Sequence, residues 1–423
     1  MACVNCFFSS EHQKELKLSC FGTSRFENRL KSYKQKYLLE IVKLISVRDC
    51  SCPKRTDKDL YFQWTDDFLE FVKYNTANIS YIFDALFDIY NLYIIKSPKH
   101  AADKLWTLIN DLNLIGYSET AMDYCQLLFR GREKTKVLDP TDPLSYFHIP
   151  FNSRYFVGNQ RFSISGQPML YFGNSILNIE KELGKPLSDL SIAAFLPNYS
   201  IFYGTKINNI KNIVYNTLVK SLPVLFNSGS KLHFNDPHIS PNCNTITNFI
   251  QRSILSEILS FPVQNKNNFV EEYVLPQLFT SLLVEYDFKG LLFPSTKNYD
   301  DLQDYHIYSD FDINTVIFTN YNSSYDYDMD LLNSFHSFLL DGSEKYLYQG
   351  KDIIDMFDEA SEKNKKSTLN NNDFMLPLVS TKLYIEYMDT AKLNGISYFE
   401  TEEGKMELEF FAKLSKKMLT LIH

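Results

Sequence analysis

Long apolar runs are missing from this 423-residue sequence. A membrane-spanning helix needs about 20 predominantly apolar residues. The nearest candidate is YIFDALFDIYNLYII (81–95), and two Asp residues interrupt it. The N-terminus also lacks the basic region and apolar core of a secretory signal peptide. These absences predict a cytoplasmic protein without a membrane partner.

Basic runs are also scarce. The formal net charge is −8, and the short run KNKK (363–366) follows acidic residues. An acidic chain without a basic patch is repelled by phosphate backbones. Nucleic-acid binding is therefore disfavoured as the main role of this protein.

The composition that remains is that of a folded protein. Hydrophobic residues make up 44% and charged residues 22% of the chain, which is close to ordinary globular usage. Hydrophobic cores can therefore form, and global disorder is disfavoured. The length allows two or three domains.

The pattern of apolar residues changes along the chain. It predicts helices over the first 135 residues, and after the breaker cluster DPTDP (139–143) short apolar runs alternate with helical stretches. We predict a mainly helical domain over 1–138, a mixed α/β domain over 139–335 and a mainly helical extension over 336–423, and thus an α+β fold class. The helical pattern is carried by 36–45, 66–74, 79–95, 101–112 and 405–422, and the short apolar runs are 191–197, 289–295 and 314–320.

Four of the seven cysteines form two close pairs: Cys3 with Cys6, and Cys50 with Cys52. In a reducing compartment they are not expected to form disulfides. Two such thiolate pairs can close a tetrahedral zinc site, because short spacers let both sulfurs face one ion. The competing interpretation is a set of scattered reduced thiols. Redox catalysis is disfavoured, since no thioredoxin-like strand and helix surround the pairs.

The stretch QRFSISGQPMLYFGNSILNIEKELG (160–184) combines three residue types that suit a nucleotide. Arg161 carries a planar fork of donors for pyrophosphate or carboxylate. Tyr171, at the end of a short apolar strand, offers a ring for stacking. Glu182, in the helical segment that follows, can hold ribose hydroxyls and stabilise positive charge at the anomeric carbon. On spacing alone, a structural explanation stays open, with a buried Tyr and charged residues at the surface.

The chain also resembles a known family at two places. FHIPFNSRYFVGNQRFSISGQPMLYFGNSILNIEKELGKP (147–186) resembles the opening of a RES domain. FVEEYVLPQLFTSLLVEYDFKGLLFPSTK (269–297) is similar to the later block of that family, an EYxxPQ helix followed by a Gly-led strand that ends in Ser. Two blocks in the family order, separated by an insert, make the resemblance specific over about residues 144–320.

The resemblance implies an ADP-ribosyltransferase-like mixed α/β core that consumes NAD and releases nicotinamide. It implies that Arg161 holds the pyrophosphate, that Tyr171 stacks on nicotinamide and that Glu182, rather than Glu180 two residues before it, acts at the ribose. The predicted catalytic residues are Arg161, Tyr171, Glu182 and Ser295, and the predicted NAD-binding residues are Arg154, Arg161, Tyr171, Gly290 and Ser295.

Three assignments within this resemblance keep alternatives. The family has an earlier arginine, for which Arg154 is the candidate, although His148 lies closer to where many members begin. Ser295 is expected to hydrogen-bond the ligand rather than attack, because no His–Asp pair accompanies it. A Ser at this place is otherwise a turn or helix-cap residue. Gln277 is either a buried hydrogen-bonding residue or a ligand contact.

The N-terminal part resembles a second module, the HEPN/RES N-terminal domain that precedes some RES domains. CVNCF near the start and a later Cys pair carry this resemblance. It implies a zinc knuckle with Cys3, Cys6, Cys50 and Cys52 as ligands. The second pair departs from the usual spacing, since it is C-x-C and lies far from the first.

The function implied by the resemblance is cleavage of the nicotinamide–ribose bond of NAD by a toxin or defence effector. Water or phosphate would be the acceptor. A protein acceptor, which would make the chain a mono-ADP-ribosyltransferase, and an inactive RES-like interaction protein are the alternatives. Family members often pair with an antitoxin, so an antitoxin or a regulatory protein is the expected partner. The trigger and the oligomeric state stay open.

Overall fold

A computed structural model gives the structure of the chain. It describes residues 2–22, 25–51, 59–115, 126–136, 138–198, 206–210, 243–265, 268–305, 309–340, 342, 346, 348–366 and 372–421. The chain forms two compact units, and each contains segments that are far apart in sequence. The first unit comprises residues 1–116, 159–164 and 209–286, and the second comprises 117–158, 165–208 and 287–423. The domains predicted from the sequence are three consecutive segments with boundaries at 138 and 335, whereas each of these units combines separate segments. The sequence-based boundaries stay a prediction.

The first unit is helical in its described part. The start of the helix Pro98–Asp111 shows how the sequence begins a helix. The Ser97 side chain accepts a hydrogen bond from the Lys99 backbone N–H. Pro98 occupies the first turn, where the N–H that proline lacks would have no partner within the helix. The helices of this unit are α1 (Val4–Phe7), α2 (Ser10–Leu18), α3 (Phe26–Lys43), α4 (Asp59–Tyr74), α5 (Thr76–Ile95), α6 (Pro98–Asp111), α8 (Cys243–Leu259) and α9 (Val274–Glu285).

Aromatic packing and buried ion pairs join the early helices of this unit to its later segments. The ring of Tyr33 on α3 lies 5.6 Å from that of Phe83 and 5.7 Å from that of Phe261, in edge-on geometry. The ammonium of Lys17 on α2 is 2.6 Å from the carboxylate of Glu257 on α8, and both side chains are buried. Because a buried charge is tolerated only with a partner, this pair ties α2 to α8.

The second unit is built on a seven-stranded sheet with the order β4-β5-β7-β2-β1-β3-β8 and a three-stranded sheet with the order β10-β9-β6. Antiparallel pairing joins β5 to β7, β7 to β2, β2 to β1, β1 to β3 and β3 to β8. The strands are β1 (Leu128–Glu133), β2 (Met169–Gly173), β3 (Leu190–Pro197), β4 (Ile207–Asn209), β5 (Gly290–Pro294), β6 (Leu302–Gln303), β7 (Ile313–Phe318), β8 (Phe335–Leu339), β9 (Lys392–Leu393) and β10 (Ile396–Ser397). The helices of this unit are α7 (Ile176–Leu183), α10 (Met329–Asn333), α11 (Gly350–Lys366), α12 (Asn372–Met388) and α13 (Glu402–Leu421).

Side chains alternate between the two faces of the large sheet, and each face has its own core. Phe129 and Ala194 point to the face covered by α7 and the C-terminal helices. Phe172 and Phe195 point to the opposite face, where they pack with Phe147. The sheet is thus buried on both faces.

The C-terminal segment belongs to the core of the second unit. The side chains of Phe410, Leu414 and Met418 on α13 are fully buried in the same cluster as Ile179 of α7 and Phe129 of the sheet. Deleting residues 336–423 would therefore expose a large part of that core. A truncated chain ending near 335 is therefore expected to lose its fold.

The predicted α+β class is confirmed. The helical pattern predicted over 36–45 and 66–74 overlaps α3, which ends at Lys43, and lies in α4. The run 191–197 lies in β3, and most of the run 314–320 lies in β7, which ends at Phe318. Within the described part of the chain, no helix combines the length and the apolarity needed to cross a bilayer.

The core position of α13 yields a stability prediction. Leu414→Ala removes a fully buried side chain and should lower the free energy of unfolding by about 2–5 kcal/mol, through lost apolar burial and a residual cavity. Urea denaturation followed by circular dichroism measures the loss. Lys405→Ala, at an exposed position of the same helix, is the control. Equal midpoints for the two variants would contradict the packing described for α13.

Candidate functional site

Helix α7 lies unusually close to the sheet. Ser175 begins it, since the hydroxyl oxygen accepts a hydrogen bond from the third backbone N–H along, and Gly184 ends it in the left-handed conformation at φ 63°, as is common after a helix. A Cβ added at Gly131 of β1 would lie 2.5 Å from the Ile179 side chain, and one at Gly173 of β2 would lie 3.0 Å from it. Two glycines therefore let α7 pack against β1 and β2.

This packing places Glu182 between two hydrogen-bond donors. The hydroxyl of Ser295, just after β5, donates to Glu182 Oε1 at 2.6 Å. The amide of Asn314 on β7 donates to the same oxygen at 2.8 Å. Among the described residues, none hydrogen-bonds Glu182 Oε2. One carboxylate oxygen of Glu182 is therefore held by two donors of the protein.

A chain of buried amides fixes the orientation of this arrangement. Asn178 on α7 donates from Nδ2 to Asn314 Oδ1 at 3.0 Å and accepts at Oδ1 from the Tyr299 hydroxyl at 2.7 Å. Burial, and next the charge of Asp312, raises the pKa of Tyr299 well above its usual value. Tyr299 is thus a neutral donor, and the side chains form an ordered series of donors and acceptors.

Glu180 lies on another side of α7. Its Oε1 accepts a hydrogen bond from the backbone N–H of Leu187 at 3.1 Å. Burial is the main cause that raises the pKa of Glu180, and the nearby carboxyl group of Glu403 raises it further. Glu180 therefore contacts the C-terminal helix, while Glu182 contacts Ser295, so the geometry separates the two carboxylates that the sequence left two residues apart.

Tyr171 shares a sheet face with this arrangement. It pairs with Val316 of β7, and Gly173, two residues on, pairs with Asn314. Residues two apart on a strand point to the same face. Since α7 covers that face at Gly173, the half-buried Tyr171 side chain projects from the side of the sheet on which Glu182 lies.

The sheet opens between β1 and β2. These strands pair only at Phe129 and Gly173, whereas β1 and β3 pair over six positions. Beyond the pair Phe129–Gly173, a side chain takes the place of the main-chain hydrogen bonds between β1 and β2. Nη1 of Arg130 on β1 donates to the carbonyl oxygen of Tyr171 on β2 at 2.6 Å. The opening therefore has Tyr171 on one strand and arginine on the other.

Two arginines of β1 lie at this opening, Arg130 buried and Arg132 half-buried. Arg130 and Arg132 both donate to the carbonyl oxygen of Phe147, at 3.3 Å and 2.7 Å, and no carboxylate of the described residues forms an ion pair with either. The buried Nε of Arg130 has no hydrogen-bond partner among the described residues. Burial, and next the charge of Arg132, holds the pKa of Arg130 well below its usual value. Two guanidinium groups with only neutral acceptors favour an anion beside them.

These arginines and the amides beside Glu182 are not among the site residues predicted from the sequence. LFRGRE (128–133) carries an available signal, because two Arg residues separated by one position on a short strand point to the same face. No comparable signal exists for Asn178 and Asn314. They are 136 residues apart in sequence, and only the fold brings them together.

Arg161 belongs to the first unit. Its Nη1 donates to the carbonyl oxygens of Leu259 and Phe261 at 3.1 Å and 2.8 Å, and its guanidinium carbon lies 5.3 Å from the centre of the Tyr273 ring. Gln277 of α9 donates to the carbonyl oxygen of Gln160 at 2.9 Å. Both side chains hold main-chain turns of that unit. A ligand role for Arg161 stays a prediction.

The two candidates for the earlier arginine position differ in surroundings. Arg154 is exposed, with its guanidinium carbon 5.3 Å from the centre of the Tyr321 ring. His148 is buried, and both ring nitrogens bond the main chain: Nε2 accepts from the Asp328 backbone N–H, and Nδ1 lies 2.8 Å from the Ile149 carbonyl oxygen. These contacts require a neutral ring protonated at Nδ1, and burial accordingly lowers the pKa of His148. His148 has the contacts of a structural residue.

Gly290 is explained by strand packing. A Cβ at this position would lie 2.6 Å from the carbonyl oxygen of Val316 on the neighbouring strand β7. A side chain would therefore push β5 away from β7 and shift Ser295 at the end of β5. Its predicted contact with NAD stays a prediction.

Three cysteines of the first unit form a cluster. Cys3 precedes α1, Cys6 lies on it, and Cys50 follows the short 3-10 turn Val47–Asp49. The sulfurs of Cys3 and Cys6 are 3.8 Å apart, as are those of Cys6 and Cys50. Tetrahedral zinc with Zn–S bonds of about 2.3 Å requires sulfurs about 3.8 Å apart. The cluster could therefore hold a metal ion.

The remaining cysteines bear on this site in different ways. Cys52, the predicted fourth ligand, lies outside the described residues. Cys20 is buried, and its thiol donates to the carbonyl oxygen of Leu16 at 3.3 Å. Cys20 is not part of the cluster of three, in agreement with the sequence-based ligand set.

Comparison with known proteins yields a distant similarity over part of the chain. Residues of this chain are 25% identical over 193 positions to "Putative toxin YopC" of Bacillus subtilis (strain 168). The match covers 45% of this chain and 40% of that protein, so the chain spans less than half the length of this relative. No protein-family model and no solved structure matches the chain.

The cysteine geometry predicts that the purified protein carries zinc. Elemental analysis of chain expressed with zinc should give about one ion per chain, and Cys50→Ser should reduce the amount strongly because one thiolate ligand is lost. Cys20→Ser is the matched control and should retain the zinc. Protein that is zinc-free before any substitution, or equal loss in both variants, would contradict the assignment.

Proposed function

We propose that this chain is a toxin-like enzyme that cleaves the nicotinamide–ribose bond of NAD. The observation that carries the proposal is the placement of Glu182, with one carboxylate oxygen held by Ser295 and Asn314 and the other without a partner among the described residues. The distant similarity to a toxin and the resemblance to the RES domain support it. An ADP-ribosyltransferase-like architecture and the HEPN/RES assignment of the N-terminal part belong to the same proposal.

The chemistry needs a carboxylate at this place. When the bond between nicotinamide and ribose breaks, its electron pair leaves with the nicotinamide nitrogen, and positive charge develops at the anomeric carbon. The carboxylate of Glu182 would stabilise that charge and bind the ribose hydroxyls. Attack by water and loss of one proton then give ADP-ribose. Ser295 and Asn314 would keep the carboxylate in position, because both donate to it.

Tyr171 and the arginines of β1 would bind the two remaining parts of the substrate. Tyr171 would stack on nicotinamide. The diphosphate of NAD carries two negative charges, which suit the guanidinium groups of Arg130 and Arg132. Both arginines point to the face of the sheet opposite Tyr171 and Glu182, so the diphosphate would reach them through the opening between β1 and β2. In this proposal Arg130, rather than Arg154, is the earlier arginine.

Zinc and a protein partner have supporting roles in the proposal. A zinc ion held by Cys3, Cys6, Cys50 and the predicted ligand Cys52 would connect the chain start to the segment after α3 and so stabilise the first unit. The proposed reaction uses none of these residues. Because uncontrolled loss of NAD is harmful to a cell, an antitoxin or a regulatory protein is the expected partner.

The proposal predicts that Glu182→Gln abolishes NAD consumption. The neutral amide cannot stabilise the developing positive charge, so the rate should fall by at least about 100-fold, while the far-ultraviolet spectrum is unchanged. Glu180→Gln is the matched control, two residues away, and should keep the rate within about threefold.

Two results would count against this proposal. Full turnover by Glu182→Gln would remove the residue from the site, and purified protein that leaves NAD intact under all conditions would end the proposal. Product identification gives the acceptor: free ADP-ribose indicates water, its phosphate ester indicates phosphate, and label on macromolecules indicates protein transfer.

The assignment of the earlier arginine has its own test. Arg130→Gln removes a buried charge that lacks a carboxylate partner in the described structure, but it also removes the hydrogen bonds to the carbonyl oxygens of Tyr171 and Phe147. A moderate loss of stability without ligand is therefore expected and is measured first. The thermal stabilisation by NAD should disappear, and KM for NAD should rise by about tenfold or more. Arg154→Gln should have the smaller effect on KM, because its guanidinium is exposed against Tyr321. The opposite order of effects would favour Arg154.

A further inference from the structure

A carboxyl group of the C-terminal helix contacts the start of α7. Glu407 on α13 is fully buried, and its Oε1 accepts a hydrogen bond from the backbone N–H of Ile176, the first residue of α7, at 2.7 Å. The same oxygen accepts from the Tyr398 hydroxyl at 2.7 Å, and Oε2 lies 3.0 Å from the Tyr384 hydroxyl. A side chain 231 residues away thus satisfies one of the unpaired N–H groups that every helix start presents.

The contact acts on the helix that carries Glu182. Helix α7 spans only two turns, so its orientation depends on its ends. Ser175 and Glu407 hold one end, and Glu182 meets Ser295 and Asn314 at the other. A tilt at the first turn would shift Glu182 relative to β5 and β7, and positioning errors of about 1 Å are costly in catalysis.

We propose that Glu407 is a positioning residue, which holds the start of α7 so that the Glu182 carboxylate stays at Ser295 and Asn314. The effect on turnover rests on the proposed NAD cleavage, whereas the effect on α7 does not. The link also assigns a role to the C-terminal extension, because α13 supplies the side chain and α12 and the 3-10 turn Tyr398–Glu400 supply its partners Tyr384 and Tyr398.

The protonation state of Glu407 distinguishes this positioning role from ordinary packing in the core. Burial is the main cause that raises the pKa of Glu407 to about 8, while the Ile176 N–H and the two tyrosine hydroxyls oppose the rise and the charge of Glu403 adds to it. The helix α11 meets this region with apolar side chains, among them Ile353 and Phe357. At neutral pH, Glu407 is therefore mostly protonated, and Oε2 can donate to Tyr384 while Oε1 accepts from Ile176.

The sign of the pH dependence follows from this pKa. The folded chain keeps a proton that the unfolded chain releases near its ordinary value of 4.5. The contribution of Glu407 to stability is therefore complete below that value, declines as the pH rises and is lost above about 8. Ionisation also places a charge in an apolar core beside Glu403, which destabilises the packing of α13 against the start of α7 above about pH 8, even though a carboxylate is the stronger acceptor for the Ile176 N–H.

Two variants and a matched control test the proposal on the full chain. Glu407→Gln reproduces the protonated carboxyl group, since its oxygen accepts from Ile176 and Tyr398 and its amide donates to Tyr384. Glu407→Leu keeps the volume but leaves the Ile176 N–H without a partner. Glu402→Gln, at an exposed position of the same helix, is the control for a change of charge.

The expected results differ in kcat, KM and pH profile. At pH 7, Glu407→Gln should keep kcat within about twofold. It should also lack the decline in kcat above about pH 8 that is expected for the unchanged protein. Glu407→Leu should lose about tenfold in kcat with little change in KM. Hydrogen exchange of the α7 amides should be faster in Glu407→Leu than in Glu402→Gln.

The outcomes that overturn the proposal are equally specific. Unchanged kcat and unchanged α7 exchange in Glu407→Leu would show that the contact does not hold the helix. If kcat of Glu407→Gln still declines above about pH 8, the pH effect belongs to another group. This comparison of Glu407→Gln with the unchanged protein decides the case even if Glu407→Leu does not fold. If the unchanged protein consumes no NAD, the proposed function fails. The hydrogen exchange of the α7 amides, measured across pH in Glu407→Gln and in the unchanged protein, still decides the positioning role of Glu407.

Discussion

The close approach of α7 to the sheet is the constraint on which the candidate site depends. It is possible because Gly131 and Gly173 present no side chain to Ile179. With α7 in this position, Asn178 reaches Asn314 and Glu182 reaches both Asn314 and Ser295. A helix displaced by the width of a methyl group would lose these contacts together, since they all lie on one short rigid element.

The second unit concentrates buried polar groups around that helix. On one side lies the series of amides and hydroxyls from Tyr299 to Glu182, and at the start of the helix lies Glu407 with two tyrosines. Buried polar groups are costly unless they are hydrogen-bonded. Here nearly every partner comes from a segment distant in sequence, so the same bonds that satisfy these groups also specify how strands and helices assemble.

The arginines of β1 are a different case. Arg130 and Arg132 are held by carbonyl oxygens, and the described part of the chain supplies no carboxylate to them. A buried guanidinium group without a counter-charge is costly even when carbonyl oxygens accept its hydrogen bonds. The presence of these two arginines where the sheet opens is understandable if a ligand brings the missing negative charge.

Local pattern accounts for much of the secondary structure. The apolar periodicity of α3, α4 and α13 and the short runs that form β3, β5 and β7 are visible in the sequence, because core-facing residues recur with the period of each element. The carboxylate Glu182 and its contact Ser295 were also predicted, by resemblance to a family rather than by spacing. Gly290 shows the limit of such an argument, since its close contact with the Val316 carbonyl oxygen is a sufficient structural reason for glycine.

The sequence by itself determined most of the elements, the mixed class and the pair of cysteines at the start of the chain, and the resemblance to a family led to the prediction of Glu182 over Glu180. Only the tertiary structure decided which groups meet. It brought Asn314 and Ser295 to Glu182, Cys50 to Cys3 and Cys6, and Glu407 to the start of α7. The physical reason is that helix and strand periods depend on neighbouring residues, whereas a hydrogen bond between residues 231 positions apart depends on the packing of the whole unit.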